Sequence, residues 1–400
     1  MAKHVDGAIT APKGFQAAGV RCGIKQNGAD LALIYSEKQC SVAGVFTTNA
    51  FKAASVVRNA EKLRIGRGRA IVVNSGNANA CTGDRGRRDV DYICKFTAEL
   101  LNVPEDEVYN ASTGIIGVPL PIDKIEVGLM DAVAELAEDG GPSAAKAIMT
   151  TDTRPKMAAY EFEIDGTPVR IGAICKGAGM ICPNMATMLC FVTTDAVISP
   201  VALRKCLLAA VDSSLNCLTV DGDMSTNDCV IAFANGASGC PEIKEGTPAF
   251  ATFEAALSKV CREMAVAIAV DGEGATKYVE VHVVNAESYA DAKTAAMRVA
   301  NSPLVKTAIF GEDPNWGRVL CAVGESGAKV VPERTSLWFG DVKIVENGEP
   351  LNIDAAAARQ PMLANELRIT VDLGLGSKNA TVFTCDFSYD YVKINAEYHT

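Results

Sequence analysis

Apolar positions along this chain keep two rhythms. Short apolar or alternating runs predict strands at 31–35, 41–47, 70–73, 169–175, 188–193, 229–234, 278–284, 319–323, 366–373 and 380–387. The run from Arg368 to Leu373 alternates cleanly, as a half-buried strand does. Helical spacing predicts helices over 89–101, 123–138, 200–215, 250–270 and 290–301. Within the fourth of these, Phe253, Ala256, Leu257, Val260 and Met264 make one apolar face. Ser199 is a natural cap for the helix at Pro200, and Pro200 suits its first turn. Asp139-Gly-Gly-Pro142 is a breaker but not a linker between independent domains, and 244–247 and 346–350 read as surface turns. Strands and helices interleave, so the fold class is α/β or α+β, with sheets covered by helices.

Composition narrows this picture. A chain of 400 residues with 48% hydrophobic and 22% charged residues builds a large core, as two lobes or one layered domain. A net charge of −10 disfavours a nucleic-acid partner. The N-terminus lacks the apolar stretch of a signal peptide, and no run of about 18 apolar residues exists, so no membrane helix is expected. The 14 cysteines form no Cys-x-x-Cys pair, and most sit in apolar runs, as Cys190, Cys206 and Cys321 do. They read as reduced core residues of a cytoplasmic protein. Only three histidines occur: His4 in the terminal tail, His282 on the polar face of a strand, and His399 next to last. A Ser-His-Asp machine or a multi-histidine metal site is therefore poorly supported, and an enzymatic base here is something other than histidine.

The unusual segment runs from Lys176 through Gly177 and Gly179 to Pro183, Asn184, Met185, Ala186 and Thr187, where an apolar strand begins at Met188. A phosphate cradle fits it loosely, because no Gly-Lys-Ser/Thr ending and no helix follow. From composition alone the better reading is a hairpin-like turn with Gly177 and Gly179 at positive φ.

The segment resembles the signature of the glutamate N-acetyltransferase / ornithine acetyltransferase family of arginine biosynthesis, matched at Lys176, Gly177, Gly179–Ile181 and Pro183–Leu189. Further matches follow in order: Asn74-Ser-Gly-Asn-Ala-Asn-Ala80, Ser112-Thr-Gly-Ile-Ile-Gly117, Met149-Thr-Thr-Asp-Thr153 and Asp221-Gly-Asp-Met-Ser-Thr-Asn-Asp228. Asp271-Gly-Glu-Gly-Ala-Thr-Lys277, Gly311-Glu-Asp-Pro-Asn-Trp-Gly-Arg318 and Ile394-Asn-Ala-Glu-Tyr-His-Thr400 complete them.

The resemblance implies a layered αββα sandwich with a smaller C-terminal lobe. It implies self-cleavage between Ala186 and Thr187 into an alpha chain, 1–186, and a beta chain, 187–400, which share one core and pair as α2β2. Thr187 is then the nucleophile of a ping-pong transfer of acetyl from N2-acetylornithine to glutamate, with Thr113 and Gly114 as the oxyanion hole. Substrate-binding positions carry over to Thr153, Lys176, Thr187, Glu273, Asn395 and Thr400. No metal or cofactor is implied, and acetyl-CoA is a possible co-substrate. The chemistry suits the residues: cutting the chain gives Thr187 an α-amino group with an unperturbed pKa of roughly 7.7–8.0, able to act as base where histidine is scarce. Two other readings compete: a self-processing N-terminal-nucleophile amidase or aminopeptidase that passes the acyl group to water, and a non-catalytic binding protein on the same scaffold. Trp316 reads as a core aromatic rather than a site wall.

Overall fold

The computed structural model describes residues 2–182 and 188–397. One mixed sheet holds β1 (Lys3–His4), β2 (Phe15–Val20), β3 (Leu31–Phe46), β4 (Arg67–Asn77), β5 (Val108–Ile115), β6 (Lys156–Ile164), β7 (Thr167–Lys176), β8 (Leu189–Thr194) and β9 (Cys229–Ala234). Its order is β1-β6-β7-β8-β9-β3-β4-β5, with β2 also on β3. Two of the expected strands, 31–35 and 41–47, are halves of the single strand β3. The first half pairs with β2 and β4; the second pairs with β9 and, at Cys40 and Ser41, still with β4, after a register shift between Tyr35 and Cys40.

That shift folds the sheet into two leaves. Phe15, Ile34, Ile71 and Tyr109 from one leaf share a core with Ile174, Phe191, Ile231 and Phe233 from the other. The rings of Tyr109 and Phe233 meet edge-on at 5.6 Å, although β5 and β9 are not neighbours in the ladder. Helices α1 (Ala54–Lys62), α2 (Gly83–Leu101) and α3 (Ile122–Ala134) belong to the first leaf's side. There Val90, Ile93, Ile125 and Leu129 of α2 and α3 meet Leu31, Leu33 and Val72. α4 (Gly141–Ala147) closes one end of the inner core. α5 (Pro200–Asp212) and α6 (Pro248–Val270) cover the second leaf, where Leu203, Leu207, Leu257 and Met264 meet Ile171, Cys190 and Val192. The layers are αββα.

The smaller lobe follows. β10 (Tyr278–Ala286), β11 (Ser336–Phe339), β12 (Val342–Glu346), β13 (Glu349–Pro350), β14 (Glu366–Asp372) and β15 (Lys378–Cys385) form a six-stranded sheet in the order β13-β12-β11-β14-β10-β15. α7 (Tyr289–Ala300), α8 (Pro303–Phe310) and α9 (Trp316–Gly324) pack on it around a separate core, with Trp316 at its margin. α10 (Ala355–Arg359) lies before β14, and α11 (Tyr389–Glu397) carries the chain back to the sandwich.

Several expectations change. The run 319–323 is not a strand but part of α9: Asn315 accepts the Arg318 N–H as its cap, and Val319, Ala322 and Val323 take helical spacing toward the core. Cys321, on the opposite face, is exposed rather than buried. The helix expected over 123–138 ends at Ala134, because Ala137 leaves it to exchange backbone hydrogen bonds with Ala17. The helix expected to reach residue 215 stops at Asp212, and a short 3-10 turn takes over. His4 is not in a free tail but in β1, against the Tyr160 ring. Ser199 caps α5 as expected, accepting from Ala202 N–H at 3.3 Å.

Candidate active site

The carboxyl ends of β5 and β7 and the entries to β8 and β9 meet at one edge of the sandwich. A cavity of about 190 Å3 opens there. Thr113, Gly114, Thr150, Lys176, Met188, Asp228, Glu273 and Asn395 are among its walls. Five of the residues expected at a site, scattered from 113 to 395, thus share one cavity. Thr153 does not: it faces a larger groove of about 490 Å3 on the other side of the Glu273 turn, with Asp271, Lys393 and Glu397. Its N–H and hydroxyl both bond the Asp271 carboxylate, so it braces the site. Ala186, Thr187 and Thr400 lie outside the described residues. Ile181 and Met188, the nearest wall residues on either side of 183–187, both border the cavity.

Gly114 takes φ +132, and a Cβ there would stand 2.3 Å from the Gly76 carbonyl carbon. No side chain fits where β5 passes the β4 bulge. Asn227 clamps the same place, its amide donating to Ala78 O and to Ser112 O at 2.7 Å. Thr113 and Gly114 are therefore held by backbone geometry before any ligand arrives.

Lys176 enters from the end of β7. Its ammonium donates to Thr113 Oγ1 at 3.2 Å and to Thr150 Oγ1 at 2.8 Å. Burial, reinforced by the Lys156 charge, lowers the Lys176 pKa, and Asp152 opposes the shift. The glycines after it act otherwise than expected. Neither Gly177 nor Gly179 has positive φ; Met180 does, at +55. Gly179 is needed for close approach, since a Cβ there would lie 2.3–2.5 Å from the Glu273 carboxylate atoms. Asp221 holds the turn by accepting Met180 N–H at 2.6 Å and Ile181 N–H at 2.8 Å. Glu273 is seated from two sides: its N–H donates to Ala178 O at 2.9 Å, and Asn395 Nδ2 donates to its Oε2 at 2.9 Å. Asn395 lies in α11.

Asp228 closes the Asp221–Asp228 motif, where nothing in the sequence gives it a role. It is 3% exposed, and its Oδ2 has no hydrogen-bond partner among the described residues. Burial pushes this carboxyl well above the ordinary range, with Ser225 and Lys176 opposing. Among the described residues, no group of three or more His, Cys, Asp or Glu side chains has the arrangement to hold a metal ion.

The arrangement can stabilise a developing oxyanion. Lys176 donates to the Thr113 oxygen, so the Thr113 hydroxyl proton is free to be given elsewhere. The neighbouring ammonium makes it a better donor. A hydroxyl and a glycine N–H side by side, fixed in advance, meet the geometric need of acyl transfer. Lys176 and Glu273 put one positive and one negative group on the same small cavity.

A model of the ArgJ family matches residues 16–400. The chain is 51% identical over 397 residues to the arginine biosynthesis bifunctional protein ArgJ of Symbiobacterium thermophilum, covering 98% of this chain and 99% of that protein. It is 52% identical over 390 residues to the protein of the same name from Geobacter sulfurreducens, covering 97% and 99%. A crystal structure of the arginine biosynthesis bifunctional protein of Bacillus halodurans superposes with a TM-score of 0.51 at 40% identity, covering 52% of this chain and 98% of that one.

Proposed function

The chain belongs to the ArgJ family of bifunctional arginine-biosynthesis acetyltransferases, and from that premise we propose a self-cleaving ping-pong mechanism centred on Thr187. The observation that carries the proposal is the convergence of Thr113, Gly114, Lys176, Glu273 and Asn395 on one cavity bounded by both ends of the segment that contains Thr187.

The Thr187 hydroxyl attacks the Ala186 carbonyl and the Ala186–Thr187 C–N bond breaks, which frees the α-amino group of Thr187 and leaves an ester that water hydrolyses. That amine then takes the hydroxyl proton as Thr187 attacks the acetyl carbon of N2-acetylornithine. Thr113 Oγ–H and Gly114 N–H hold the oxyanion, ornithine leaves, and the acetyl ester on Thr187 passes to the amine of glutamate. Lys176 has the charge to meet a substrate carboxylate, and Glu273 the charge to meet the ornithine side-chain ammonium. Thr400 is assigned to the same ligand, whereas Thr153 supports the site through Asp271 without touching the ligand. A thioester reaches the same acetyl-threonine, so acetyl-CoA is the second donor in this reading, in keeping with the word bifunctional in the relatives' names. The Bacillus halodurans chain, about half as long as this one, supports the cut. Pairing of two copies as α2β2 is part of the proposal.

The test is acetyl transfer by the purified protein. Incubation with N2-acetylornithine and glutamate is expected to yield ornithine and N-acetylglutamate in equal amounts, with little acetate. Acetate release independent of glutamate would assign the protein to the amidases instead.

A further inference from the structure

We infer that Lys156 is a positioning residue of this site: one buried ammonium tying the strand end that bears Lys176 to the turn that bears Glu273, across the proposed cut. The inference rests on the acetyltransferase reading above.

Lys156 opens β6 and is 2% exposed. Its Nζ donates to Asp152 Oδ1 at 2.6 Å and to Asp271 Oδ2. Each carboxylate in turn holds one wall. Asp152 Oδ1 accepts the N–H of Gly177, the residue after Lys176, at 2.7 Å. Asp152 Oδ2 accepts the Thr150 N–H at 3.0 Å, and the Thr150 hydroxyl is the one that receives the Lys176 ammonium. Asp271 ends the last turn of α6, two residues before Glu273, and fixes Thr153 through two hydrogen bonds. Lys156, Asp152 and Asp271 do not line the smaller cavity, so they act through Lys176 and Glu273 rather than on a substrate. Asp152 and Lys156 precede residue 186 and Asp271 follows it, so the ion pair joins the two pieces after cleavage.

The charges leave little redundancy. Both carboxylates are buried, at 8% and 6% exposed. The other cations facing them are Lys176 and Lys25, which act on Asp152, and Arg154, whose Nε is 4.0 Å from Asp271 Oδ1 at the exposed rim; the buried Cys175 thiol also adjoins Lys156. Burial opposes the charge on Asp152, but Lys176 and Lys156 overcome it and hold its pKa at about 2. The Lys156 pKa is raised in turn, with Asp152 prevailing over burial. Without Lys156, two buried carboxylates face one another, and one of them must bind a proton or the walls must part.

The experiment compares Lys156→Met, Lys156→Arg and Lys156→Met/Asp271→Asn with the parent, in fragmentation and in kcat and KM for N2-acetylornithine across acid to alkaline pH. The expected loss of kcat/KM in Lys156→Met is about 100-fold, the scale of a small misplacement of catalytic groups. The ratio of variant to parent activity should rise as pH falls, because a proton replaces the missing ammonium. Lys156→Arg and the double variant should each recover part of the loss. An unchanged kcat/KM in Lys156→Met overturns the inference; so does a loss that is flat with pH and not recovered by the double variant. If Lys156→Met does not fold, a folded double variant as inactive as a Lys176→Met protein overturns it equally. A parent that neither fragments nor transfers acetyl defeats the underlying reading instead.

Discussion

A lysine nitrogen that donates to a threonine oxygen leaves that threonine one proton to give, and Thr113 is so placed by Lys176. Thr113→Val keeps the shape and removes the proton. It should lower kcat by about 100- to 1,000-fold with KM little changed, whereas Thr113→Ser keeps most activity; steady-state kinetics separate the two. Asp228 gives a pH prediction. Its folded pKa is raised by burial, so the stability it contributes is present below the ordinary carboxylate range and is lost as pH rises through the raised value. Asp228→Asn should therefore gain in melting temperature over the parent as pH rises. Asp152 has the opposite sign: its pKa is depressed, so its contribution persists above about 3.8 and is lost toward about 2, and Asp152→Asn should flatten that part of an acid unfolding curve. Lys176, Thr113, Gly114, Glu273 and Asn395 were legible in the sequence through the motifs that carry them. Thr150, Asp152, Asn227, Asp228 and Asp271 lie in matched motifs without an evident role, and Lys156 in none, because such polar residues look like turn residues until their partners, up to 149 positions apart, are brought together.

Elements were legible where periodicity was long and ambiguous where it was short. α6, with 23 residues and a continuous apolar face, is plain in the sequence. Val319–Val323 is not, since five apolar residues fit a buried strand or one helical face, and the Asn315 cap is what decides. β5 escapes because Asn110, Ser112 and Thr113 are buried polar residues that bond Asn59, Asn74 and Lys176 across the strand. The turn after β7 shows why spacing alone misleads. Gly179 exists for the Glu273 carboxylate rather than for its own φ, so Gly179→Ala should displace Glu273 and raise KM for N2-acetylornithine by about tenfold while kcat changes less, a split that kinetics will read. Ser199→Ala removes the cap of α5, far from the cavity, and should cost about 1 kcal/mol in denaturant unfolding with activity intact.

At the scale of the whole molecule, the proposed cut falls between two strands that stay paired. β7 and β8 lie side by side from Ile171–Thr194 to Lys176–Leu189, and β3 pairs with β9 across the same division. The inner core and the core under α5 and α6 both draw residues from 1–186 and 187–400. The pieces should therefore co-elute in size exclusion under native conditions and separate only on denaturation. The αββα order was reachable from the sequence only through resemblance, because nothing local in 31–46 says that one strand serves two leaves. The most direct test of the account is the intact mass of the purified protein, before and after exposure to N2-acetylornithine without glutamate. The account predicts two chains, the second beginning Thr-Met-Leu-Cys and gaining the mass of one acetyl group with the donor. A single 42.0 kDa chain that gains nothing would contradict it.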